Sequence, residues 1–167
     1  MLIRQERHTD IDTIFRLTQA AFEDHPFSDH KEQLIVNALR AANAMTLSLV
    51  AQWDDEQVVG HVAFSPVEIS DGGQDWYGLG PVSVAPAYQR RGIGRALIQQ
   101  GLHTLQSMEA KGCVVMGDPD YYQYFGFRHL PELVYQDVPP EYFLALAFCQ
   151  PTPQGYVTYH PAFFVQE

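Results

Sequence analysis

One stretch restricts this chain more than any other: Val82-Ser83-Val84-Ala85-Pro86 runs through Ala87 and Tyr88 into Gln89-Arg90-Arg91-Gly92-Ile93-Gly94-Arg95-Ala96-Leu97. The β-branched start predicts a strand, and the apolar residues that follow at helical spacing predict a helix. A strand that turns through two glycines straight into a helix gathers the unbonded N–H groups of the first helical turn, and the positive end of the helix dipole, at one point. Such a point suits an anion. Gly92 and Gly94 leave the backbone bare for a diphosphate to approach, and Arg90, Arg91 and Arg95 add positive charge beside it.

Around this junction the pattern predicts an alternation of strands and helices. A short strand over 2–4 precedes a helix capped by Thr9 and Asp10, with Ile11, Ile14, Phe15, Thr18 and Phe22 at helical spacing. A second helix over 31–42 carries Leu34, Ile35, Ala38 and Leu39 inward, after a polar loop over 23–30. Strands over 46–52 and 58–69 form a hairpin, and a strand over 76–84 is interrupted by Gly78, Gly80 and Pro81, which weaken a ladder and favour a bulge. Ile93, Leu97, Ile98, Leu102, Leu105 and Met108 make the buried stripe of a long helix ended by Lys111 and Gly112. A strand over 113–116 is expected parallel to 82–84 through a right-handed crossover. Asp118 and Pro119 start a short helix that Gly126 stops, and 144–149 with 156–164 read as a closing hairpin.

The bulk numbers exclude several classes. A chain of 167 residues with 46% hydrophobic content and no compositional break is expected to form a single domain over 1–167. A net charge of −10 argues against nucleic acid as a partner, yet three of the ten basic residues fall between Arg90 and Arg95, the mark of a site for a small polyanion. No apolar run is long enough to span a bilayer and no signal-like pattern opens the chain, so no membrane partner and a cytoplasmic location are expected. Cys113 and Cys149 lie in apolar segments and are expected to be buried, reduced thiols. The histidines and aspartates over 23–30 fit no standard ligand spacing, and no metal is expected.

The spacing of the glycine loop narrows the choice of anion. A P-loop needs Gly-x-x-x-x-Gly-Lys-Ser/Thr, which is absent, and the dinucleotide fingerprint needs a third small residue and an acidic residue about 20 positions on, which fits poorly. Gln89-Arg90-Arg91-Gly92-Ile93-Gly94 matches the Gln/Arg-x-x-Gly-x-Gly/Ala signature of the GCN5-related N-acetyltransferases, and the chain resembles that family over nearly its whole length. Gly78-Leu79-Gly80-Pro81-Val82-Ser83-Val84, Gly117-Asp118-Pro119-Asp120-Tyr121-Tyr122 and Phe125-Gly126-Phe127 are similar to a subgroup of bacterial acetyltransferases called YhbS-like.

The resemblance implies an α/β (α+β) fold, a mixed central sheet splayed at the cofactor cleft with helices on both faces. It implies acetyl transfer from acetyl-CoA to a primary amine of a small molecule or peptide, by direct attack. Val82, Ser83 and Val84 would offer backbone groups to the pantetheine and the oxyanion, and Gln89, Arg90, Arg91, Gly92, Gly94, Arg95 and Ala96 would hold the pyrophosphate. Tyr122, five positions ahead of Phe127, would protonate the departing thiolate; aromatic packing is the competing role for Tyr121, Tyr122 and Tyr124. No base is assigned: Glu23, Asp24, His61, Glu68, Asp75 and water all stay open. A non-catalytic acyl-CoA sensor and a phosphate-binding regulator are the rival functions, and a homodimer is left open.

Overall fold

The computed structural model describes residues 1–166. Along the chain run β1 (Leu2–Gln5), α1 (Ile11–Phe22), α2 (Glu32–Ala41), β2 (Leu47–Gln52), β3 (Val58–Pro66), β4 (Glu68–Ile69), β5 (Trp76–Val84) and α3 (Ile93–Ser107). There follow β6 (Gly112–Met116), α4 (Pro119–Tyr122), β7 (Leu133–Val134), β8 (Phe143–Ala147) and β9 (Gly155–Thr158). Two compact units share these elements: one holds Met1–Ser65, Gly80–Gly101 and the residues from 161 on, the other Pro66–Leu79 and Leu102–His160.

In the first unit β1, β2 and β3 form an antiparallel ladder, from Leu2 opposite Gln52 to Leu47 opposite Phe64. The C-terminal half of β5 continues it, with the Ala85 N–H donating to Val59 O at 2.8 Å. Side chains alternate across a strand, so the two faces of the β2–β3 ladder have different partners. On one face Val50 packs with Ile14 and Leu17 of α1 and Val36 of α2. On the other face Gly60 and Phe64 receive α3: a Cβ on Gly60 would lie 3.0 Å from Ile93 Cγ2, and one on Gly101 would lie 2.2 Å from Phe64 Cε1. Both glycines exist to let a helix and a strand approach. Ile35, Leu39 and Ala44 form a second cluster with Ala162, from a 3-10 turn over Pro161–Phe164.

Several expectations for this unit change in detail. Asp10 stands at the N-cap of α1 but makes no side-chain bond to its first turn; its carboxylate accepts from the Arg7 N–H at 2.6 Å and pairs with the Arg4 guanidinium at 2.8 Å, which fixes the 3-10 turn ahead of the helix. The inner residues of α2 are Ile35, Val36 and Leu39, with Leu34 only half-buried. Met108, expected on the buried stripe of α3, lies beyond its end at Ser107 and is 49% exposed, where the chain turns through a left-handed Glu109 (φ 66°) and the Ala110 N–H returns to Leu105 O at 3.0 Å.

In the second unit β5 pairs in parallel with β6 through Trp76, Tyr77 and Gly78, opposite Gly112, Cys113 and Val114. This corrects the expected pairing of 113–116 with 82–84: the ladder uses the start of β5 and ends at Gly78. β8 lies antiparallel along the whole of β6. Parallel and antiparallel ladders thus combine in a mixed central sheet, the α/β class expected. The predicted strand over 58–69 breaks at Pro66, which lacks an N–H, and β4 joins a separate small sheet in the order β4-β9-β7. The closing hairpin does not form. β8 is taken by β6, whereas β9 is claimed by β4 on one edge and β7 on the other, and Pro161–Phe164 is a 3-10 turn. Cys113 is buried but Cys149 is exposed, contrary to expectation, and both thiols are free.

Candidate functional site

In the first unit the predicted junction has the geometry an anion needs. The chain leaves β5, makes a 3-10 turn over Pro86–Tyr88, and passes through Arg90 (φ 65°) and Gly92 (φ 82°) before α3 begins at Ile93. Left-handed residues two apart curl a backbone so that its N–H groups converge, a nest for anionic oxygen. The first helical bond joins the Ala96 N–H to Gly92 O at 3.1 Å, so the Ile93 and Gly94 N–H groups precede the ladder at the positive end of a 15-residue helix. A Cβ on Gly92 would meet nothing within 4 Å, so glycine serves the φ value there and the space beside it is open.

The side chains of the loop divide into two kinds. Gln89 Nε2 donates to Val84 O at 3.0 Å, which ties the loop to the end of β5. The Arg91 guanidinium lies over the rings of Tyr88 (5.1 Å) and Trp53 (5.8 Å) and donates to Ala87 O at 3.4 Å. Arg90 and Arg95 are exposed. Of the three strand residues, Ser83 is 4% exposed and its hydroxyl shares a 3.1 Å hydrogen bond with Thr18 of α1. Backbone groups alternate in direction along a strand. Ala85 and Ser83 therefore address β3, whereas the Val82 and Val84 N–H groups point away from it. Ala96 contributes the first ladder bond and no free donor.

Tyr122 lies in the second unit, on the α4 turn that Asp118 caps by accepting from the Asp120 N–H at 2.9 Å. Its ring contacts Tyr121 (centroids 5.0 Å apart) and Phe127 (5.9 Å) edge-on, and it fills the place a Gly117 side chain would take, 2.4 Å from Tyr122 Cε2 to the Cβ position. Gly117 is thus part of the tyrosine's seat; in the sequence it stands out only as the first residue of the Gly117–Tyr122 motif. Burial, with Tyr121 and the Cys113 thiol beside it, pushes the Tyr122 phenol well above the usual tyrosine value. Tyr121 is half-buried and Tyr124 is 55% exposed.

Among the candidate bases, Glu23, Asp24, Glu68 and Asp75 are exposed. His61 is fully buried on β3, and burial lowers its pKa to about 4, despite Glu6 nearby. Its Nε2 is 2.8 Å from Ser48 Oγ, and Ser48 donates to Glu6, which Arg40 holds with two 2.8 Å bonds. The Glu6 carboxyl loses by desolvation but gains more from Arg40 and Ser48, and its pKa falls below the usual value. The 3.9 Å approach of Glu6 to His61 is therefore no ion pair at neutral pH. A neutral, sealed imidazole of such low basicity is a packing group. Among the described residues no group of three His, Cys, Asp or Glu side chains is placed to hold a metal, and no helix is long and apolar enough to cross a membrane.

Comparison with known proteins agrees with the loop geometry. Residues 11–127 match the model of the acetyltransferase (GNAT) family. The chain is 39% identical over 128 residues, 77% of its length, to the uncharacterized N-acetyltransferase YhbS of Escherichia coli strain K12, 74% of which is covered. A GNAT family acetyltransferase from Brucella melitensis, crystallised with acetyl-CoA, is 51% identical with a TM-score of 0.86, the match covering 97% of both chains. The crystal structure of Escherichia coli YhbS with CoA is 31% identical with a TM-score of 0.89, covering 98% of this chain and 92% of that one. A strand, a glycine turn of alternating hand and a helix N-terminus, matched by sequence across 11–127, place this chain in the GNAT family of acetyltransferases.

Proposed function

We propose that this enzyme transfers an acetyl group from acetyl-CoA to a primary amine of a small molecule or peptide by direct attack. The carrying observation is the 89–96 turn, where Arg90 and Gly92 adopt left-handed backbone and α3 begins with its first N–H groups outside the helical ladder. That turn would take the pyrophosphate on the N–H groups around Gly92, Ile93 and Gly94, with Arg90 and Arg95 supplying charge. The complexes of the Brucella melitensis relative with acetyl-CoA and of YhbS with CoA support this reading.

Acetyl-CoA supplies the thioester, an acyl group on a good leaving group. The Val82 and Val84 N–H groups would donate to the pantetheine amides and to the thioester oxygen as it gathers charge, a role for backbone geometry and not for side chains. Ser83 holds that strand in place through Thr18. As the amine nitrogen forms its bond to the acyl carbon and the carbon–sulfur bond breaks, the Tyr122 hydroxyl would donate its proton to sulfur, and the amine proton passes to water. A phenol above its normal pKa keeps its proton throughout the neutral range but is a weaker acid toward sulfur, so it would donate only as thiolate charge builds beside it and would then regain its proton from solvent.

Calorimetry with acetyl-CoA on the wild-type chain and on Gly94→Glu tests the site. The variant places bulk and a negative charge at the helix start, and binding should vanish; wild-type affinity in the variant would sink the assignment. A panel of amines with wild-type enzyme then separates catalysis from sensing, since a sensor binds acetyl-CoA and releases no free CoA thiol with any acceptor.

A further inference from the structure

The reading of the glycine turn as a phosphate cradle gives its three arginines the same task, but the geometry sets one of them apart. Arg91 lies over two aromatic rings, 5.1 Å from the Tyr88 centroid and 5.8 Å from that of Trp53. The two rings are themselves in edge contact at 5.8 Å. The Tyr88 hydroxyl donates to Gln57 Oε1 at 3.1 Å, and the guanidinium adds a 3.4 Å bond to Ala87 O. Trp53 and Gln57 bracket the turn between β2 and β3, with the Trp53 N–H bonded to Gln57 O at 2.7 Å. One side chain therefore joins the phosphate turn to the neighbouring hairpin.

We infer that Arg91 is a positioning residue that clamps the 85–92 turn against the Trp53–Gln57 hairpin, and that it makes no contact with the diphosphate. The inference rests on the proposal that the turn binds acetyl-CoA. A left-handed backbone is costly for a residue with a full side chain, and Arg90 adopts φ 65°. A planar guanidinium layered on aromatic faces resists that cost in a way an ammonium cannot, because lysine lacks the flat, weakly hydrated surface. Gln89, bonded to Val84 O, holds the strand side of the same turn, so the N–H groups around Gly92 are fixed from both sides before any ligand arrives.

Two measurements on the intact chain decide the matter. In the ligand-free protein, Arg91→Lys and Trp53→Leu should each speed amide hydrogen exchange over 87–92, and unchanged protection in both would overturn the clamp whatever the turn binds. For acetyl-CoA affinity, Arg91→Lys and Trp53→Leu should each weaken binding by about 3- to 10-fold, the scale of one or two exposed cation–π contacts. The double variant should be no weaker than the worse single variant, as for two parts of one device. A phosphate contact predicts otherwise: Arg91→Lys can weaken binding through the lost guanidinium fork, but Trp53→Leu is silent, and that silence overturns the clamp. Gly94→Glu run alongside separates the two ideas. Its failure to abolish binding removes the cofactor assignment, while the exchange data still judge the clamp.

Discussion

Tyr122 and His61 are both buried titratable groups, yet burial serves them differently. Tyr122→Phe keeps the ring that fills the Gly117 seat and removes only the proton donor. If the phenol protonates the thiolate, kcat should fall about 100-fold or more with acetyl-CoA affinity nearly unchanged, measured where chemistry limits the rate. Full activity of the Phe variant would return Tyr122 to aromatic packing. For His61 the consequence is stability. Its folded pKa of about 4 lies below the ordinary histidine value, so between about pH 6.5 and 4 the unfolded chain holds a proton that the folded chain refuses. Stability is complete above that window and is lost as pH falls through it, by up to about 3 kcal/mol for this fully buried group. Urea melts between pH 7 and 4.5 should show this slope in the wild type and a flatter one in His61→Gln; parallel slopes would mean the imidazole does not control acid sensitivity.

At the scale of elements, the two glycines that admit α3 make the clearest prediction. Gly101→Ala improves helix propensity by about 1 kcal/mol, but its Cβ would lie 2.2 Å from the fully buried Phe64 ring, and overpacking of that kind costs about 1–3 kcal/mol or more. The variant should therefore melt lower than wild type, and Phe64→Leu in the same chain should recover part of the loss; an unchanged or higher Tm would show that the ring moves freely. This seat was not legible in the sequence, where Gly101 is one small residue in a helical pattern. What was legible had local causes. The strand, turn and helix over 82–97 announced themselves through β-branching, two glycines and a 3.6-residue stripe, and the Asp118–Pro119 start of α4 through its cap. What failed depended on distant partners. The run over 156–164 alternates like half a hairpin, but β9 is paired by β4 and β7, which sequence spacing does not reveal. Arg91 reads as a phosphate ligand from its place in the motif, and that reading gives no sign of the ring it lies over, Trp53, 38 residues earlier in the chain.

For the molecule as a whole, a net charge of −10 creates a field that draws cations from a distance. If the acceptor is a charged amine, kcat/KM for it should fall as ionic strength rises from about 10 mM to above 150 mM, where the Debye length shrinks to about 8 Å, while a neutral amine of similar size should show little change. Equal salt dependence for both would leave the net charge a matter of solubility. The turn over Pro161–Phe164 has a consequence of another kind. It packs Ala162 against Ile35, Leu39 and Ala44 of the first unit, although 59 residues of the second unit, Leu102–His160, come before it in the chain. On a ribosome adding about 5–20 residues per second, the Ile35 and Leu39 side of α2 thus waits several seconds for the segment that packs on it, while the other unit is still being made. The order of synthesis and the order of assembly differ in this protein, and the interval between them is when a chaperone has something to hold.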